Sequence, residues 1–145
     1  MTDLAKTHPT ASITRDAALA LNAAARRAAH DIGIAVTIAV TDAAGHLVAF
    51  ERDDAAPFLT ADVAIDKAWT AASFGLPTHT WNALLANDAI AQLAHRPRLV
   101  AVGGGVPVVV GGRVVGGIGI SGGNALQDQQ AAEAALESLG FEVTR

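Results

Sequence analysis

The sequence predicts an α/β domain of the α+β kind, with one mainly antiparallel sheet and helices packed against it. Three observations carry that expectation. Two pairs of β-rich runs are each joined by a tight turn, and strands joined this way pair antiparallel because parallel strands need long crossovers. Helical stretches precede, separate and follow the two hairpins. The 145 residues fit one domain, expected at 12–145 behind a flexible, polar, Pro9-containing tail at 1–11.

The elements follow in order. Thr14 is placed to cap a helix, with Asp16 favourable near its positive end. Ala18, Leu21, Ala25, Ala28 and Ile32 then recur at three- and four-residue spacing, and Gly33 is a natural stop. From Ile34 to Thr41, bulky Ile34, Val36, Ile38 and Val40 alternate with small Ala35, Thr37, Ala39 and Thr41. This is a strand with one bulky face and one face suited to close packing. Asp42-Ala43-Ala44-Gly45 reads as a hairpin turn, and His46 to Arg52 as the return strand. Asp53 to Phe58 reads as a loop.

Leu59 to Phe74 reads as a helix ended by Gly75 and Pro77, and Thr78 as the cap of another running to about Asn87. Residues 88–98 carry no decisive pattern. Val106–Val110 and Arg113–Ile120 flank Gly111-Gly112, a strong hairpin signal. Gly122-Gly123 breaks the second run, Asn124 caps a last helix through Leu139, and Gly140 closes it. Phe141 to Arg145 is expected to add a short edge strand.

Composition narrows the chemistry. The absence of cysteine excludes disulfides, thiolate metal sites and cysteine nucleophiles. A net charge of −4 without a basic stripe, and 4% aromatic residues, argue against a nucleic-acid partner. No run reaches the roughly 18 apolar residues of a membrane span, and no secretory leader is visible, so the expectation is a cytoplasmic protein without a membrane partner. Hydrophobic residues make up 51% and charged ones 17%, which points to burial against further copies of the chain. The histidines lack metal-site spacing such as H-E-x-x-H, and no metal site is expected.

Two motifs fail on context. Gly117, Gly119 and Gly122 spell G-x-G-x-x-G, but the strand before them pairs in a hairpin and too little chain follows for a dinucleotide fold. Gly119 to Gly123 spells G-x-S-x-G, but no histidine follows Ser121, whereas the hydrolase arrangement needs one downstream. The glycines instead bare a strand so that backbone or ligand can approach closely. Ser121, Gly122 and Gly123 also open a helix, whose free N–H groups suit a carboxylate or phosphate.

Several segments resemble one family. Ile38 to Val48 is similar to its first hairpin. Ala64-Ile65-Asp66-Lys67-Ala68-Trp69-Thr70-Ala71-Ala72, followed by Phe74 and Pro77-Thr78, resembles its KAxTAA helix. Gly104-Gly105-Val106-Pro107-Val108, Gly116 to Gly123 and Gln127-Asp128 resemble its carboxy-terminal half. Together they cover about residues 12–140. The family is GlcG/HbpS, related to the carboxy-terminal domain of PduO-type proteins. The resemblance implies a profilin-like fold, homo-oligomers, and haem or corrinoid binding in some members. Others belong to small-molecule catabolic pathways.

Lys67 stands out among the candidate residues. Its helical neighbours include Val63, Ala64, Thr70, Ala71 and Phe74, so its ammonium either snorkels outward or serves a site as acid, base or anchor. Asp66 and Asp128 are its candidate partners, and Asp128 also matches the family pattern. Asp62 and Asp66 lie four apart on one helix face and read as a solvated face. His30, His46, His79 and His95 are candidate haem ligands, with His46 after the turn and His79 at a helix start. Arg113, just after Gly111-Gly112, is placed either to meet an anion or a haem propionate or to stand as an exposed charge at the hairpin end.

Three readings follow: a small-ligand-binding domain for haem, a corrinoid or a related ligand; a cofactor-independent isomerase, lyase or hydrolase using Lys67 and Asp128; or an assembly subunit without chemistry.

Overall fold

The computed structural model describes residues 3–145, which form α1 (Arg15–Asp31), β1 (Thr37–Asp42), β2 (Leu47–Arg52), α2 (Leu59–Phe74), α3 (Thr78–Leu84), β3 (Gly105–Val110), β4 (Arg113–Ser121) and α4 (Ala125–Ser138). The tail expected at 1–11 begins on Met1 and Thr2, which lie outside the described residues. Asp3 to Thr10 is exposed coil, and Ile13 then docks beside the first residues of the interior strand β4 through its N–H, which donates to Val115 O at 2.9 Å.

The four strands form one antiparallel sheet in the order β2-β1-β4-β3. Both expected hairpins are present. Gly45, at φ 83°, closes the first turn, and Gly111 and Gly112, at 58° and 74°, form the second. Only glycine takes such angles without steric cost.

The alternation along β1 sorts its two faces. Val36, Ile38 and Val40, with Val106, Val108, Ile118 and Ile120, pack against Leu21 and Ala25 of α1 and Ala132 and Leu136 of α4. This is the main core, and each buried Val, Leu or Ile contributes about 1.5–3 kcal/mol of transfer energy. The opposite face carries Ala39, Gly105, Gly117 and Gly119, and α2 lies on it.

The caps at Thr14 and Asn124 form as expected. Thr14 accepts from Ala17 N, and Asn124 forms a reciprocal capping box with Gln127. Other boundaries differ. β1 starts at Thr37, because Ile34 N still bonds back to Ala29 O at the end of α1. Pro77, not Thr78, is the N-cap of α3, and Thr78 Oγ1 instead bonds Val102 O and Gly105 N. α3 ends at Leu84. Turns and a 3₁₀ segment, Ala91–His95, fill the ambiguous stretch. The expected last strand is reduced to one bridge, Val109–Glu142.

Candidate functional site

Helix α2 seats on a glycine floor. A Cβ at Gly119 would stand 2.0 Å from Ala64 O, one at Gly117 2.2 Å from Ala68 O, and one at Gly105 2.5 Å from Lys67 O. At that depth Lys67 cannot snorkel outward. Its ammonium passes the end of β4, donating to Ile120 O at 2.9 Å and to Asp128 Oδ2 at 3.3 Å. Gly104, at φ 126°, clears the path, since a Cβ there would stand 2.7 Å from Lys67 Nζ.

The two charged side chains are only 2% and 3% exposed. Burial pushes the Lys67 pKa down, opposed by the Asp128 charge. Burial likewise pushes the Asp128 carboxyl up, opposed by Lys67 and by the Gly123 and Gly122 N–H groups. Both shifts favour the neutral forms, as desolvation requires. Asp128 is thus the partner of Lys67. Asp66 turns outward and accepts from Arg98 Nε at 2.9 Å.

The structure brings Lys67, Asp128, Ser121, Gly122 and Gly123 to one end of the sheet. However, the chain itself engages the helix-start donors there. Gly123 N donates to Asp128 Oδ1 at 2.8 Å, and Asn124 N to Gln127 Oε1 at 3.0 Å. His46 and Arg113 lie at the other end. The β1–β2 turn and the start of β4 meet where Asp42 pairs with Gly116, roughly 17 Å along β4 from Ser121 at about 3.3 Å per residue. His46 is exposed there, with Nδ1 3.4 Å from Asp42 Oδ2, and Arg113 is exposed at the hairpin end.

His79 belongs to the Lys67 end. It lines a hollow of about 570 Å³ between α3, the segment before β3, and α4, a volume within the usual range for ligand sites. Ala101, Val102, Ala125 and Leu126 form apolar walls, and Asn82, Gln129 and Arg145 add polar groups. Val102 is 48% and Leu126 67% exposed, although both are large apolar residues. His79 is exposed and makes no hydrogen bond or ion pair among the described residues. Arg145 pairs with Glu133 and Glu137. Gln129 Oε1 accepts from Gly104 N at 3.1 Å, which connects the hollow to the loop over Lys67.

Val102, Leu126, Asn82, Gln129 and Arg145 were not legible as site residues, because they are distant in the chain and share no motif. A second hollow, of about 610 Å³, lies between the end of α1 and β2, but it is lined by charges, including the paired Arg26 and Glu51. The first offers apolar walls with a free imidazole and is the better ligand site.

The model of the family described as haem degrading protein HbpS-like matches residues 13–137. Protein GlcG of Escherichia coli K12 is 39% identical over 110 residues, covering 75% of this chain and 81% of that protein. A double mutant of HbpS from Streptomyces reticuli superposes with a TM-score of 0.87 at 32% identity, covering 97% of this chain and 95% of that one. The structure described as a PduOC:heme complex superposes with a TM-score of 0.85 at 26% identity, covering 92% and 99%.

Proposed function

The chain belongs to the HbpS-like family, and on that premise we propose that it binds haem in the hollow beside His79. The observation that carries this reading is the hollow itself, where an unengaged imidazole sits among exposed apolar residues. The residues suit the group. His79 supplies a nitrogen ligand, Val102 and Leu126 supply apolar contact for a macrocycle, and Arg145 supplies a cation for a propionate, in competition with Glu133 and Glu137. Bound haem would supply an iron centre whose reactivity depends on its axial ligand and on pocket polarity. The haem complex of a relative with the same fold supports the reading, and a corrinoid, also planar and apolar-faced, is the alternative ligand.

The test is a haemin titration of the purified protein. A saturable Soret band is expected, with a shifted maximum in His79→Ala and an unchanged one in His46→Ala. A wild-type protein that leaves free haemin unaltered would overturn the reading.

Homo-oligomerisation belongs to the same proposal. The exposed Phe58, Leu59, Phe74 and Leu126 support it. Light scattering should give a mass well above 14.7 kDa, and a monomer at micromolar concentration would refute it.

The second reading, a cofactor-independent acid–base enzyme, would use Lys67 and Asp128. It draws on their displaced titration. Their burial supports it less, because a substrate has little access to either group.

A further inference from the structure

Arg98 is the one non-glycine residue with positive φ among the described residues, at 73°. A side chain disfavours that conformation, and it persists only where surrounding contacts hold it. Locally, Arg98 takes the third position of a turn with Pro97 at the second, closed by Leu99 N donating to Arg96 O at 3.3 Å, a position that calls for positive φ. The contacts that anchor this turn to the rest of the fold come from α2. Arg98 Nε donates to Asp66 Oδ1 at 2.9 Å, and its guanidinium lies 4.5 Å from the centroid of the Trp69 ring. Thr70 Oγ1 donates to Arg98 O and accepts from Val100 N, both at 3.1 Å. An exposed ion pair alone would add little. An ion pair, a cation–π contact and a hydroxyl bracket from Asp66, Trp69 and Thr70, spaced i, i+3 and i+4 on one face of α2, instead form a clamp.

What the clamp holds is a wall of the hollow. Residues 99–103 have no regular structure, yet Ala101, Val102 and Gly103 line the site. Past the clamp the segment is pegged again, by Asn82 Nδ2 to Ala101 O at 3.1 Å and by Thr78 Oγ1 to Val102 O. The clamp fixes where the segment leaves α2, and the pegs fix where it meets α3. Val102 is thereby held exposed against its own hydrophobicity.

We propose that Arg98 is a positioning residue whose clamp on α2 sets the 101–103 wall of the ligand hollow. This rests on the reading of that hollow as the haem site. Arg98 touches no ligand in this scheme and acts through the backbone it holds.

The test compares the wild type with Arg98→Ala, Arg98→Gly and Arg98→Lys. In the ligand-free protein, hydrogen exchange of peptides covering 99–103 should accelerate about tenfold or more in the Ala and Gly variants, while β4 peptides keep wild-type rates. Arg98→Gly accepts the positive φ without strain, so acceleration there isolates the loss of the guanidinium. Arg98→Lys keeps the charge but loses the planar stack and should recover only part of the protection. The haemin dissociation constant should rise several-fold in the Ala and Gly variants with the Soret maximum unmoved, because the iron ligand is intact.

Unchanged exchange at 99–103 overturns the clamp, and so does acceleration spread equally over β4, which would mark a general structural role. Faster local exchange with wild-type haemin affinity overturns the link to the site. A wild type that binds no haemin defeats the haem reading, while the exchange comparison still decides the clamp.

Discussion

Lys67 Nζ and Asp128 Oδ2 meet 3.3 Å apart, 61 residues apart in the chain, and each side chain is all but sealed from water. The contact joins α2 on one face of the sheet to α4 on the other, past the end of β4.

Removing one partner strands the other. Lys67→Met leaves a buried carboxylate with only the Gly123 and Gly122 N–H groups, so unfolding free energy should fall by about 3–5 kcal/mol. Adding Asp128→Asn neutralises the site and keeps an amide oxygen for Gly123, so the double variant should recover most of the loss. Urea unfolding of the three proteins measures both steps. A Lys67→Met protein as stable as wild type would remove the pair from the energetics.

The same pair gives stability an alkaline limb. Burial holds the folded-state pKa of Lys67 below its ordinary 10.5, so between the lowered value and 10.5 the unfolded chain binds more protons. Unfolding free energy therefore rises with pH through that window. Asp128 works in the opposite sense at acid pH. Its folded-state pKa lies above the ordinary 3.8, so its contribution grows as pH falls through the raised value towards 3.8. The sequence has no tyrosine, no cysteine and only two lysines, which leaves few other groups in the alkaline window. Urea midpoints from pH 7 to 10.5 should rise in wild type and stay flat in Lys67→Met. A flat wild-type profile would contradict the lowered pKa.

Gly119→Ala places a methyl group where Ala64 O now sits, at 2.0 Å. Neither backbone can yield without separating α2 from the sheet. The loss should reach or exceed the roughly 1–3 kcal/mol typical of overpacking. Thermal melting against a Gly111→Ala control, which meets nothing within 4 Å but carries φ 58°, separates the clash from backbone strain. Equal melting points would refute the glycine-floor account.

Asn124→Ala breaks the capping box at the start of α4, with an expected cost of about 1 kcal/mol. Asn124→Asp should retain the stability, because its carboxylate can still accept from Gln127 N. A chemical-denaturation midpoint in the alanine variant equal to that of wild type would contradict the capping role.

Where local pattern decides structure, the sequence could be read. Bulky and small residues alternate along β1 because the two faces meet different helices, and turn glycines mark both hairpins. Lys67 was legible because a charge amid Ala64, Thr70 and Ala71 needs a partner. The engagement of Gly123 N by Asp128 was not legible, since a free helix start and a self-capped one share the same residues. The His79 hollow was illegible for another reason. Its walls come from three separate segments, and nothing local marks Val102 or Leu126 as exposed.

The glycine floor also decides which parts of the molecule can move. With the carbonyls of Ala64, Lys67 and Ala68 resting almost on strand backbone, α2 has no side-chain layer on which to slide or tilt, and it behaves with the sheet as one rigid block. If the hollow takes a ligand as proposed, the breathing that admits it falls to α3, a seven-residue helix, and to the irregular chain between it and the Arg98 clamp. The hollow would open like a hinged shutter on a fixed frame, and entry and escape rates should follow the looseness of the shutter.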